Sequence, residues 1–231
     1  ILDMHNYGGY WASGVGENKV TQGNVTSARL GQTWACLAQE FKNHPALYAY
    51  GLMNEPSNMP SSNAWPDAAQ ASVNAIRAQD TNKAITVCGD GWSGAHSWVG
   101  INGSLNITDP SNNLLYEAHQ YYDFDSSGVY ANTYDADGVT AQTGVQRVTD
   151  WVGWLKDRNA QGLLGEFGIP PDDSRWFTVM DNMLDYLCGN GINSTYWMGG
   201  PWYTGADIRL SVQPIGGTTD RVQLPTLVKY A

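Results

Sequence analysis

Two carboxylates in this chain stand where carboxylates rarely stand without a task. Glu55 in "GLMNEP" and Glu166 in "LLGEFG" each follow a short apolar run and precede residues that turn the chain. A strand that buries its apolar residues and then ends on a carboxylate lifts a charge out of the core, where it needs a partner or a reaction. Two such groups at one mouth could hydrolyse a glycosidic bond. One, protonated, gives its proton to the leaving oxygen; the other, ionised, attacks the sugar or activates water. The two must differ in protonation, and polar neighbours can impose that difference. Asn54 beside Glu55, and His119 and Tyr121 in "YEAHQYYD", are suitable neighbours. His5 and Asn6, Asp90 and Trp92, and Trp197 also follow apolar runs. Each alone has an ordinary reading: a turn for N-E-P, a rim carboxylate for Glu166, a core histidine for His5, a core ring for Trp197. Their joint recurrence at successive strand ends is what points to a site.

For these residues to meet, the elements between them must be regular and must all run the same way. "ILDMHNY" reads as a strand, followed by a loop to about Asn24. Apolar residues at Leu30, Trp34, Leu37, Ala38 and Phe41 give a helical spacing entered from Thr26 or Ser27. A strand ending at Glu55 follows, then a helix with Pro66 in its first turn, then the strand "AITVCGD". After a loop from Gly91 to Asn113 come the strand "LLYEAHQYY", a helix near Thr143 to Asn159 and the strand "GLLGEFGI". A helix closed by Gly189 or Gly191 and a last strand, "NSTYWMGGPW", complete the alternation. Six strands alternating with helices, without a repeat or a linker, predict parallel βαβ units in one domain over residues 1–231. No glycine-rich phosphate loop opens a helix, so a nucleotide-binding open sheet is disfavoured. Functional residue types at many strand ends fit a TIM (β/α)8-type barrel, here with about six βα units.

Composition narrows the partner. Twelve Lys and Arg stand against 22 Asp and Glu, a net charge of -10, which repels nucleic acid. Charged residues are only 15% of the chain, so the surface suits an uncharged polar ligand. Ten Trp and thirteen Tyr against four Phe favour rings with a polar handle, such as those that meet sugar faces. Trp11, Trp92, Trp98 and Trp202 fall in expected loops on the face of the glutamates, either packing under the loops or serving as platforms. No run of eighteen apolar residues predicts a membrane span. Cys36, Cys88 and Cys188 lack metal-site spacing, and leave open one disulfide with a spare thiol or three thiols. "DFDSSG" (123–128) imitates the start of a calcium loop, but Tyr134 stands at the twelfth position, so a loop bordering the cleft is expected. No metal site follows.

Taken together, "DMHNYGGY", "GLMNEP", "YEAHQYYD", "LLGEFG" and "STYWMGGPW" resemble glycoside hydrolase family 5, most of all its secreted endo-β-1,4-glucanases. The resemblance implies a cofactor-free retaining hydrolase of cellulose or a related β-glucan, with Glu55 as acid/base and Glu166 as nucleophile. Mannan, xyloglucan and mixed-linkage glucan are the alternative substrates, and a binding remnant without turnover is the alternative function. By the same match His5 and Asn54 line the cleaved sugar's site, His119 and Tyr121 orient the carboxylates, and Trp197 is a stacking platform; Asn6, from its strand end, and Trp92 and Trp202, from their loops, are further candidate sugar contacts. The bond after Trp197 is often cis in this family. The first strand matches the family's third. The family's first two strands and an arginine beside the nucleophile therefore have no counterpart here, and a separate N-terminal segment or self-association is expected to complete the barrel. A secreted location is implied as well.

Overall fold

Six strands lie side by side in the order in which they occur along the chain, every neighbouring pair parallel. The computed structural model describes residues 1–12, 16–200 and 209–231. It runs through β1 (Leu2–Asp3), the antiparallel hairpin β2 (Gly9–Ala12) and β3 (Gly16–Lys19), α1 (Ser27–Phe41), β4 (Ala49–Gly51), α2 (Ala64–Arg77) and β5 (Ala84–Cys88). Then follow α3 (Trp98–Asn102), β6 (Leu114–His119), α4 (Thr143–Asp157), β7 (Gln161–Glu166), α5 (Arg175–Gly189), β8 (Asn193–Ser194) and α6 (Leu224–Leu227). Sheet order β1-β4-β5-β6-β7-β8 contains no reversal, so there is no topological switch point. It is the arc of an incomplete (β/α)8 barrel, as the strand ends predicted.

The helices explain why the strand ends stay in register. In α1 the Thr26 hydroxyl accepts from the Arg29 N–H at 3.1 Å, and Leu30, Trp34 and Ala38 bury one face at helical spacing. The Trp34 indole donates to the Leu52 carbonyl at 3.1 Å, and the Trp65 indole of α2 donates to that of Cys88 at 2.7 Å. Each buried ring thus satisfies its N–H on the strand end it covers. Gly31 lets α1 approach α2: a Cβ there would lie 3.0 Å from the Ala71 carbonyl oxygen. On the inner face of the sheet, Ala49, Ala84, Leu115 and Leu163 form one apolar layer. Two residues further along the same strands stand Gly51, Thr86, Glu117 and Gly165, so the barrel interior turns polar toward its C-terminal mouth.

Several expectations change in detail. β1 and β8 hold only two residues each, because both are edges of the described sheet and pair on one side. The loop expected before Asn24 contains the β2–β3 hairpin, and the stretch from Gly91 to Asn113 contains α3. Neither shows a clear apolar period, which is why sequence reading passes over them. All three cysteines are free thiols. Asn102, one of four N-x-[ST] asparagines, is buried and bonds the backbone of Asp90 on both sides, so it is closed to glycosylation. No described helix is long and apolar enough to cross a membrane.

Candidate active site

The strand ends place the two glutamates differently. Beyond β4 the chain turns through Asn54, whose N–H donates to the Met4 carbonyl at 2.9 Å, and reaches Glu55 in the left-handed region at φ 43°. A non-glycine residue holds such a conformation only where its surroundings enforce it. On β7 the device is a bulge. Ala118 pairs with Leu164 but His119 pairs with Glu166, which leaves Gly165 unmatched. Strict alternation would put Glu166 on the helix side with Leu164; the extra residue turns it to the inner face beside His119.

His119 is the hub. Its Nδ1 lies 2.8 Å from Glu55 Oε1 and 3.5 Å from Glu166 Oε2. One oxygen of each glutamate and a ring nitrogen of His119 all fall within 4.8 Å of one another. Tyr121 donates its hydroxyl to Glu166 Oε2 at 2.9 Å. Burial, together with the charge of Glu166, pushes the Tyr121 phenol well above its usual range, so it remains a donor. Burial also pushes the Glu166 carboxyl up; the cation of His119 pulls it back, Glu55 raises it, and the Tyr121 hydrogen bond and His5 lower it. Burial opposes a charged His119, yet Glu166, Cys88, Glu117 and Glu55 outweigh it and hold the imidazole well above its ordinary pKa.

A second group flanks the carboxylates. His5 Nδ1 lies 3.1 Å from Asp3 Oδ2, and Asn54 Nδ2 donates to His5 Nε2 at 3.3 Å. The hydrogen bond to Asp3 outweighs burial and raises the pKa of His5. The His5 and Trp197 rings stack with centroids 5.5 Å apart and planes 12° apart, and the Trp197-Met198 peptide is cis. Beside Glu55 opens a cleft of about 920 Å³ lined by Tyr7, Trp92, His96, His119, Tyr121 and Ser127, among others. Trp92 is 52% exposed there, and its ring meets that of Tyr7 at 5.8 Å.

The structure thus gathers His5, Asn54, Glu55, His119, Tyr121, Glu166 and Trp197, with Trp92 on the cleft wall. Asn6 lines a different groove, of about 520 Å³, with Met4, Tyr10 and Arg29. Trp98 is fully buried at the start of α3, so its role is packing, against Trp151 and Trp154. Trp11 lies in β2, and Trp202 lies outside the described residues. Asp125, Ser126 and Ser127 do border the cleft. In the same loop the Asp123 carboxylate accepts from the N–H groups of Gly128 and Tyr130 and the Ser127 hydroxyl, which occupies it internally. Sequence reading missed Asp3, Tyr7 and Glu117. For two of them a signal existed: Asp3 and Glu117 each stand two residues before a site histidine, Glu117 on the same face of β6 as His119.

Known proteins share this arrangement of the chain. The family model described as cellulase (glycosyl hydrolase family 5) matches residues 1–201. Endo-beta-1,4-glucanase B of Aspergillus niger is 32% identical over the whole chain, which spans 65% of that protein's length. Endoglucanase 3 of Humicola insolens is 33% identical, again over the whole chain and over 56% of its own length. Among solved structures, the endoglucanase Cel5A of Pseudomonas stutzeri superposes with a TM-score of 0.89 at 38% identity, covering 100% of this chain and 68% of that one. The family match runs through every strand of the sheet and every site residue from His5 to Trp197, and the chain belongs to glycosyl hydrolase family 5.

Proposed function

We propose that residues 1–231 form a single catalytic domain of a secreted endo-glucanase that cuts internal β-1,4-glucosidic bonds of cellulose or a related β-glucan with retention of configuration. The observation that carries this reading is the closeness of the carboxylates, an oxygen of Glu55 and one of Glu166 lying within 4.8 Å. Direct attack calls for carboxyl groups roughly 5–5.5 Å apart, whereas a water held between them calls for about 6.5–9.5 Å. Glu166 attacks the anomeric carbon while Glu55 protonates the departing oxygen, giving a glycosyl-enzyme. Glu55, now ionised, takes a proton from the water that releases the sugar. Tyr121 and His119 hold Glu166 in line, and His5, Asn54 and the face of Trp197 form the seat of the cleaved sugar. The sugars on the leaving side lie along the cleft that Glu55 shares with Trp92, where sugar faces can pack against exposed rings. The chemistry requires no cofactor.

Relatives support the substrate class. The Pseudomonas stutzeri enzyme was solved in complex with cellobiose, and XacCel5A, at 33% identity, in complex with cellopentaose. On the same reading two further strands, from another segment or an equivalent chain, pair with the edges β1 and β8. The test is reducing-sugar release and viscosity loss on carboxymethylcellulose. Rapid viscosity loss is expected, falling by about 10³-fold or more in Glu166→Gln while oligosaccharide binding remains. Full activity in that variant would remove Glu166 from the mechanism. Binding without products from folded protein would favour a carbohydrate-binding role.

A further inference from the structure

The side of His119 that faces away from the two glutamates is also built. Nε2 lies 3.4 Å from Glu117 Oε1, and the Cys88 sulfur, a ring nitrogen and a Glu117 oxygen all fall within 4.8 Å of one another. Glu117 and His119 are two residues apart on β6 and share its inner face. The Glu117 side chain is only 15% exposed, and the bulged Gly165 makes its room: a Cβ there would stand 2.0 Å from Glu117 Oε1. Four strands therefore present a titratable group to one imidazole: Glu55 from beyond β4, Cys88 from β5, Glu117 from β6 and Glu166 from β7. An Nδ1 in contact with carboxylate oxygens must carry a hydrogen, and so must an Nε2 that faces a carboxylate. A ring with hydrogens on both nitrogens is the cation.

We infer that Glu117 is a positioning residue that keeps both nitrogens of His119 protonated, so that a fixed cation stands between Glu55 and Glu166. The inference rests on the reaction proposed above and adds a residue to it. Without an acceptor at Nε2, His119 could still donate from Nδ1 to Glu55 as a neutral ring. Geometry would survive and the charge would not, leaving two carboxylates within 4.8 Å with no cation between them. Glu117 touches neither glutamate's reacting oxygen in this scheme; it acts only through the ring.

Glu117→Gln keeps the shape and removes the charge. NMR of the His119 imidazole is expected to show it titrating at lower pH than in the parent. In kcat/KM on soluble cello-oligosaccharides, the alkaline limb is expected to move down by about one pH unit, since losing a negative charge weakens proton binding throughout the coupled cluster. Glu117→Asp, which withdraws the carboxylate by one methylene, gives a smaller shift in the same direction and serves if the Gln variant does not fold. An unmoved His119 titration overturns the inference, as does a fall in kcat with the limb in place, the signature of a structural role. The NMR titration needs no turnover. A parent that releases no sugar therefore defeats the reaction proposed above and leaves His119 to decide about Glu117.

Discussion

The ends of β4 and β7 deliver the same side chain to the same imidazole by opposite means. At β4 the strand stops at Gly51 and an irregular turn carries Glu55, at φ 43°, to the wall of the open cleft, with its side chain 17% exposed. At β7 the strand continues to its glutamate, and an unmatched Gly165 swings Glu166 inward to a buried place under Tyr121. On the proposed mechanism the contrast teaches that placement divides the two roles, since the residue type is identical. A carboxyl at the cleft wall can reach a leaving oxygen and later a water. A carboxylate held from behind by a phenol and beside a cation is fixed for attack.

The difference can be broken most directly at the carboxylates themselves. Glu166→Gln should abolish turnover of β-glucan and of an activated dinitrophenyl cellobioside alike. Glu55→Gln should cost about 10²–10⁴-fold on β-glucan yet still release dinitrophenol in a first burst, because that leaving group needs no proton. Equal losses on both substrates in both variants would cancel the division of roles. Next in size is Tyr121→Phe, which strips the hydroxyl from Glu166 alone. A fall in kcat of about 10²-fold is expected, with the dinitrophenyl substrate hit as hard as the polymer, whereas an effect confined to the polymer would assign Tyr121 to Glu55 instead. The smallest is Trp34→Phe, which removes the indole donor to Leu52 behind the β4 end. Chemical denaturation should register a loss of about 1–3 kcal/mol from the unpaired carbonyl, and a stability equal to the parent would show that the β4 end does not depend on that bond.

Much of this site was legible before any coordinates, because strand ends announce themselves. An apolar run followed by a lone Glu, His or Trp is a local pattern, and alternation with helices at steady spacing forces those ends to one face. Glu55, His119, Tyr121 and Trp197 were found that way. Trp98 was not: it sits in a stretch that reads as loop, and its burial follows from α3 packing on α4, a contact between distant segments. Asn6, next to His5 in sequence, opens on another groove, in the bend that follows β1, where no strand alternation fixes which way a side chain points. Glu117 stands inside β6 rather than at its end, and is legible only through His119, two residues further on the same face.

Sequence alone thus determined the alternation, the parallel sheet and the pair of glutamates, since periodicity and residue type are properties of short segments. Tertiary structure decided how the pair is arranged. The bulge at Gly165, the left-handed turn at Glu55 and the imidazole shared by three carboxylates arise only when separate strands adopt a common register. That register is set by packing across the sheet, where no single segment carries the information.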